Sequence, residues 1–315
     1  MAVHAFIFPG QGSQTVGMGR DLAAAFAPAR QVFEEVDEVL GQKLTKLMFE
    51  GPSEELQLTE NTQPALMAVS LAVLRVLQVE GGISLKDKVA LVAGHSLGEY
   101  AALAAAESFS IADTARLLKL RGRAMQAAVP AGVGAMAALL GVEFEAAKEI
   151  CAEAATGGEI VSAANDNGGG QVVISGHKAA VERAIEIAKG KGVKRAMLLP
   201  VSAPFHCALM APAADAMADA FANTPPRVPL VPVLANVTAQ KVTDPNTIRD
   251  LLVQQVTATV RWRESVQEMA ALGVTSFIEL GAGKVLTGLV KRIAPEAQAL
   301  NAGTPADIEA LLKVL

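Results

Sequence analysis

Val89-Ala-Leu-Val-Ala-Gly94-His95-Ser96-Leu97-Gly98-Glu99-Tyr100-Ala-Ala-Leu103 is the stretch that decides the fold. An apolar run ends at Ala93, and alanine- and leucine-rich sequence of helical character begins just after Ser96. Between them stands Gly94-x-Ser96-x-Gly98. That spacing puts a serine on a sharp turn from strand into helix, with its hydroxyl exposed at the top of a sheet. Glycines flank it because a side chain there would collide with strand or helix in so tight a turn. The free N–H groups and the dipole at the helix start stabilise developing negative charge. Ser96 therefore reads as a nucleophile. The competing reading is a serine that only caps the helix.

The same strand–helix alternation extends outward. Residues 3–8 read as a first strand, closed by Pro9-Gly10-Gln11-Gly12-Ser13-Gln14. This turn fits neither the dinucleotide-binding nor the Walker glycine spacing. It can instead present backbone amides, with the Gln11 side chain, to a neighbouring site. Residues 21–40 read as one helix, 59–63 as a polar lead into an apolar helix opened by Pro64, and 111–129 as a helix after the serine unit. Such alternation implies a parallel sheet covered on both faces.

Composition shifts at Pro130. Residues 132–142, 160–165, 171–175 and 193–201 read as strands, and 143–155 and 178–189 as helices. The order β-α-β-β-α-β is ferredoxin-like. Beyond it come helices over 208–222, 244–255 and 262–272 and strands over 231–236 and 275–280. Gly281-Ala-Gly283-Lys284 lacks the earlier glycine of a phosphate-binding loop. The expected organisation is α/β: a parallel-sheet, α/β-hydrolase-like core from residues 1–129 and 202–315, with a ferredoxin-like small domain, 130–201, inserted.

Bulk properties exclude several classes. The chain has 315 residues, 51% hydrophobic but only 4% aromatic, which suits closely packed helices on a parallel sheet. A net charge of −5 argues against general affinity for nucleic acid or an anionic membrane. Cys151 and Cys207 are the only cysteines, so neither a disulfide framework nor a cysteine metal site is spelled out. Residues 1–8 lack the features of a secretory signal. The apolar stretch 64–79 is interrupted by Ser70, Arg75 and Gln78 and falls short of the ~20 apolar residues of a membrane span. A soluble, cytoplasmic protein with no metal or cofactor is expected.

A serine nucleophile needs a base, and there are four histidines. His95 adjoins the serine, where neighbouring side chains point apart. His4 lies inside the first strand as a core residue, and His177 opens a helix of the small domain as a solvated one. His206 remains, in Ser202-Ala-Pro-Phe205-His206, where a parallel sheet places its catalytic loops. A helix-entry histidine is the competing reading. Cys207 reads as a packed thiol. Hydrolase order, Ser then Asp or Glu then His, fits poorly: about 100 residues follow His206, and no His-Gly-Gly loop precedes the serine. Arg121 and Arg123, two apart on one helix, face different directions. One of them points to solvent or an acidic neighbour. The other, turned toward Ser96, would clamp a carboxylate in bidentate fashion, implying an acyl substrate with a free carboxylate at its far end.

Phe8-Pro-Gly-Gln11-Gly-Ser-Gln14, Thr62-Gln63-Pro64-Ala65, Gly94-His-Ser96-Leu-Gly98-Glu99-Tyr100, Arg121-Gly-x-x-Met125-Gln126 and Phe205-His206 together resemble the malonyl-CoA:acyl carrier protein transacylases of bacterial fatty-acid synthesis. The acyltransferase domains of modular polyketide synthases share these motifs. The resemblance runs essentially end to end. It implies that Ser96 takes malonyl from CoA as an ester and passes it to the phosphopantetheine thiol of acyl carrier protein, so that CoA and the carrier's prosthetic arm are substrates and no cofactor is needed. It further implies His206 as base and acid, the main-chain carbonyl of Gln255 as its orienter, and the amides of Gln11 and Leu97 as the oxyanion hole. Arg121 would hold the malonyl carboxylate, Gln63 would line the site, and Arg123 would be the solvated partner. Phe205 before the histidine and Leu97 after the serine resemble the malonyl-selective pattern. One departure is Asn165-Asp-Asn-Gly-Gly-Gly-Gln171, which carries glycines where relatives often have Ser-Pro.

The carrier protein of this pathway is acidic, so docking calls for a basic rim. Lys284, Lys291 and Arg292 form one candidate, and Lys189, Lys191, Lys194 and Arg195 on the small domain the other. A monomer is expected, with malonyl-CoA and acyl carrier protein as its partners and neither nucleic acid nor membrane. Two other classes use the same features: a thioesterase would release free malonate, and a carrier-docking module would tolerate the loss of Ser96.

Overall fold

Two apolar runs set the centre of the molecule. In Ala5-Phe6-Ile7-Phe8 every residue is buried, and strand alternation sends Phe6 and Phe8 to one side and Ala5 and Ile7 to the other. Leu91-Val92-Ala93 is buried in the same way. Strands covered on both faces belong inside a parallel sheet. The computed structural model describes residues 3–315. Its strands are β1 (His4–Phe8), β2 (Val89–Gly94), β3 (Gly134–Leu140), β4 (Val161–Asp166), β5 (Gln171–His177), β6 (Arg195–Leu198), β7 (Val233–Leu234), β8 (Lys241–Val242), β9 (Ser276–Leu280) and β10 (Gln298–Ala302).

Six of them form one sheet in the order β10-β9-β1-β2-β7-β8, parallel throughout except for the β7–β8 edge pair. Phe8 lies opposite Gly94, so β1 and β2 end at the same edge and bring the Pro9–Gln14 turn beside the serine turn. On one face pack the helices Ala27–Leu40, Thr59–Val79, Leu97–Ala105 and Ile111–Ala127. Trp262–Ala271 and Val285–Ile293 cover the other, around the buried Trp262. The second sheet, β4-β5-β3-β6, is antiparallel. Its helices Phe144–Ala154 and Lys178–Gly190 close a separate cluster that includes Ala137, Leu139, Ile150, Val172 and Ile174.

Several expectations are corrected. The helix read over 21–40 is two, Arg20–Ala25 and Ala27–Leu40, because Phe26 is extended and Pro28 occupies the first turn of the second helix. Pro64 does not open its helix. Thr59–Val79 is one 21-residue helix with Pro64 inside, so Thr62 and Gln63 are helical rather than part of a polar lead. That helix is also long and apolar enough to cross a membrane, against the reading of 64–79, and 83% of its most apolar window is buried inside the protein as a core element. The strand read over 231–236 shrinks to Val233–Leu234. The edge strands β8 and β10 and the helix Val285–Ile293 had no sequence reading. They are short or amphipathic pieces ordered by what they pack against.

Candidate active site

The Gly94–Gly98 turn is as tight as its glycines require. A Cβ on Gly94 would stand 1.9 Å from the Gly98 carbonyl oxygen, and one on Gly98 would stand 2.2 Å from the Phe8 oxygen. Between them Ser96 has φ 56° and ψ −112°, a conformation that costs a non-glycine residue about 1–3 kcal/mol. Asn236 holds the turn from both ends: its Oδ1 accepts from Ser96 N at 2.8 Å and its Nδ2 donates to Gly94 O at 2.7 Å. The serine side chain makes no capping bond. Its Oγ lies 2.7 Å from His206 Nε2, so the capping reading gives way to a Ser–His pair.

His206 stands on the loop before the short helix Ala208–Met210, itself at φ 58° and 4% exposed. Its Nδ1 is 2.8 Å from the Gln255 carbonyl oxygen. A carbonyl only accepts, so Nδ1 carries the proton and Nε2 offers its lone pair to the serine hydroxyl. Burial, and secondly the charge of Arg121, push the imidazole pKa down to about 3. His206 is therefore neutral near pH 7 and able to receive a proton.

Arg121 is the other half of the site. Only 1% exposed, it donates from Nη1 to Gln63 Oε1 at 2.8 Å and from Nη2 to Gln255 Oε1 at 2.9 Å and Ser96 Oγ at 3.2 Å. Its guanidinium lies 5.4 Å from the Tyr100 ring centroid. Among the described residues no carboxylate lies within ion-pair distance of it, and Nε has no partner. Burial lowers its pKa, while Tyr100 and Glu99 raise it. A buried guanidinium stays charged, and a charge held only by neutral acceptors leaves the site open to an anion.

The side chains converge on a cleft of about 480 Å³ that Gln11, Gln63, Leu97, Arg121, Phe205 and His206 help to line. The backbone N–H groups of Gln11 and Leu97 donate to no acceptor among the described residues. Phe205 is buried against the cleft. Arg123, on the outer side of its helix, pairs with Glu60 at 2.8 Å and so has an acidic partner, not solvent alone. His177 is half-buried, and its Nδ1 accepts from Ile160 N at 3.0 Å beside the second sheet. His95 Nε2 turns to Asn167 Oδ1 at 2.9 Å, and burial lowers its pKa. His4 is half-buried at the start of β1. Cys207 is buried, its thiol pKa raised by that burial.

The two basic clusters differ. Lys189 is paired with Glu186 and Lys191 with Glu153, each at 2.7 Å, while Lys194 and Arg195 are exposed. Lys284, Lys291 and Arg292 are exposed and have no carboxylate within 4.0 Å among the described residues. Their helix, Val285–Ile293, lines the cleft through Val285, Leu286 and Leu289. Sequence reasoning missed Asn236, Asn167 and the role of Glu99 in the network. Glu99 stood in the elbow motif and Asn167 in the glycine-rich loop Asn165–Gln171, but nothing local marked Asn236.

A parallel-containing sheet with helices, a separate antiparallel sheet and a Ser–His pair at the edge of the first make this a mixed α/β protein consistent with an α/β acyltransferase fold. The chain belongs to the acyl transferase domain family, whose pattern it matches over residues 5–304. It is 48% identical over 314 residues to the malonyl CoA-acyl carrier protein transacylase of Escherichia coli (strain K12), covering 100% of both chains. With the acyl-carrier-protein-S-malonyltransferase structure from Bartonella henselae it shares 56% identity and a TM-score of 0.97 over 99% of each chain. A malonyl-transacylase solved in complex with a type II PKS acyl-carrier protein is 45% identical, with a TM-score of 0.96 over 100% of both chains.

Proposed function

We propose that this protein moves the malonyl group of malonyl-CoA to the phosphopantetheine thiol of an acyl carrier protein through an ester on Ser96. The observation that carries this reading is Arg121: a buried guanidinium without a carboxylate of its own, 3.2 Å from the serine oxygen. His206 Nε2 removes the Oγ proton as Oγ attacks the thioester carbonyl. The Gln11 and Leu97 amides stabilise the oxyanion, each worth about 3 kcal/mol. As the C–S bond breaks, His206 returns the proton to the CoA sulfur. The carrier thiol then repeats the sequence in reverse, its proton passing through His206 to Oγ. Arg121, with Gln63 beside it, holds the distal carboxylate, and Phe205 narrows the space for a branched acyl group.

The relatives' names and the solved carrier complex support an acyl carrier protein as partner. Lys284, Lys291 and Arg292 form the basic rim that receives it, since their charges are not engaged by acids and their helix borders the cleft. The α/β-hydrolase-like core is built from residues 1–129 and 202–315, and 130–201 form a ferredoxin-like insert that covers the site. The protein works as a cytoplasmic monomer without metal or cofactor.

Intact mass after brief mixing with malonyl-CoA or acetyl-CoA tests this. The parent should gain a malonyl adduct, Ser96→Ala should gain none, and adding carrier protein should transfer the adduct to it. An adduct that survives Ser96→Ala, or release as free malonate in place of acyl carrier, would sink the reading.

A further inference from the structure

Glu99 has no part in the chemistry above, yet it is a carboxyl group 3% exposed, three residues beyond the serine on the same helix. No lysine or arginine of the described residues lies within 4.0 Å of it. Its Oε2 accepts from Gln255 Nε2 at 2.7 Å and from Asn236 N at 3.1 Å. Gln255 is fully buried, and its amide orientation follows from its neighbours. The nitrogen end meets the Glu99 oxygen and the Ser96 carbonyl, at 2.7 and 3.0 Å. The oxygen end meets Arg121 Nη2 at 2.9 Å. Glu99 Oε2 and the Ser96 carbonyl both act as acceptors here and a guanidinium only donates, so the opposite orientation would set the amide oxygen against acceptors and its nitrogen against a donor.

This arrangement solves a problem in charge. A direct Glu–Arg pair would occupy the guanidinium edge that an acyl carboxylate needs, whereas a buried arginine with no anchor would wander or draw in water. A carboxyl group held one amide away fixes the arginine while leaving its charge without a direct carboxylate partner, its terminal nitrogens bonded only to neutral acceptors. Resting on the acyl-transfer reading above, we propose that Glu99 is a positioning residue which, through the Gln255 side-chain amide, keeps Arg121 aimed at Ser96 and so sets the preference for acyl groups that carry a carboxylate.

The test is the rate of covalent loading from malonyl-CoA and acetyl-CoA, with thermal melts as a folding check, for the parent, Glu99→Ala, Glu99→Asp, Glu99→Gln, Gln255→Met and the Glu99→Ala/Gln255→Met pair. If the parent itself fails to load or to prefer malonyl, the proposed function fails, not this inference. Glu99→Ala should lower malonyl kcat/KM about tenfold, chiefly through KM, while acetyl loading stays within about threefold. Should Glu99→Ala not fold, Glu99→Asp, one methylene too short for both bonds, should show the same fall in the malonyl-to-acetyl ratio. Glu99→Gln should keep the ratio within about threefold of the parent, because an amide oxygen can accept both bonds. Gln255→Met, which retains the main-chain carbonyl that orients His206, should lose the ratio as Glu99→Ala does, and the double variant should lose no more. Equal losses for both substrates in Glu99→Ala, additive losses in the double variant, or a ratio lost in Glu99→Gln as fully as in Glu99→Ala would overturn the proposal.

Discussion

The parallel and antiparallel sheets face the same cleft but furnish it with different atoms. From the parallel side come Ser96, His206, Arg121 and Gln255, whose polar atoms are bonded to one another at 2.7–3.2 Å. From the antiparallel side come Met136 and Ala138 of β3 and Val173 of β5, which turn away from the cluster that holds Ala137, Leu139, Val172 and Ile174. Period-2 alternation lets one strand serve its own core with one face and cover a site with the other. Among the described residues, the polar tie from that side to the serine turn is Asn167 to His95. Reactive groups thus sit where a parallel sheet ends and helix starts leave free N–H groups, and the second sheet supplies coverage.

This contrast is open to direct attack. The largest effect should come from His206→Ala, which removes the proton acceptor. Malonyl-enzyme formation in rapid-quench mass measurements should fall by about 10²–10⁴. A comparable fall in Met136→Ala would break the division between chemistry and coverage. Next in size, Arg121→Ala should cost roughly ten- to a hundredfold in malonyl loading, the worth of about 1–3 kcal/mol of charged hydrogen bonds, while acetyl loading rises or holds. If both substrates fall together, Arg121 is structural. Charge reversal at the rim, Lys291→Glu with Arg292→Glu, should raise the KM for carrier protein about three- to tenfold at low salt, with the effect fading near 0.5 M. The same change at Lys189 and Lys191, already paired, should do less, and equal effects would erase the distinction between the clusters. On the antiparallel side, Asn167→Ala should change loading by only about two- to threefold.

Stability offers a smaller test with a definite sign. Burial raises the Glu99 carboxyl pKa to about 7, so the folded protein holds a proton that the unfolded chain gives up near pH 4.3. Between those values the unfolded state binds fewer protons, and stability falls as pH rises. Glu99→Gln removes this titration. Its Tm relative to the parent should be more favourable at pH 8.5 than at pH 5 by about 2–4 °C in paired melts. A difference independent of pH would show that Glu99 does not titrate in this window.

Much of the site is legible in the sequence. The elbow was readable because its demand is local: two glycines and a serine within five residues, between an apolar run and a helix, admit few backbone paths. Short apolar runs closed by glycine turns, and the order of strand then helix, likewise marked β1, β2 and the helices after them. Edges were less legible. Pro64 looked like a helix opener because its missing N–H suits a first turn, and only packing carried the helix back to Thr59. β8 and β10 are held by neighbours more than by propensity.

Local pattern along the chain specifies the parallel core, the serine turn and the residue types able to act there. Which partners meet is set by packing in three dimensions: Ser96 with His206 across 110 positions, Arg121 with Gln255 across 134, and Glu99 with Gln255 across 156. No local period encodes such distances. They arise when helices pack on a shared sheet and buried polar groups must find partners of opposite hydrogen-bonding kind.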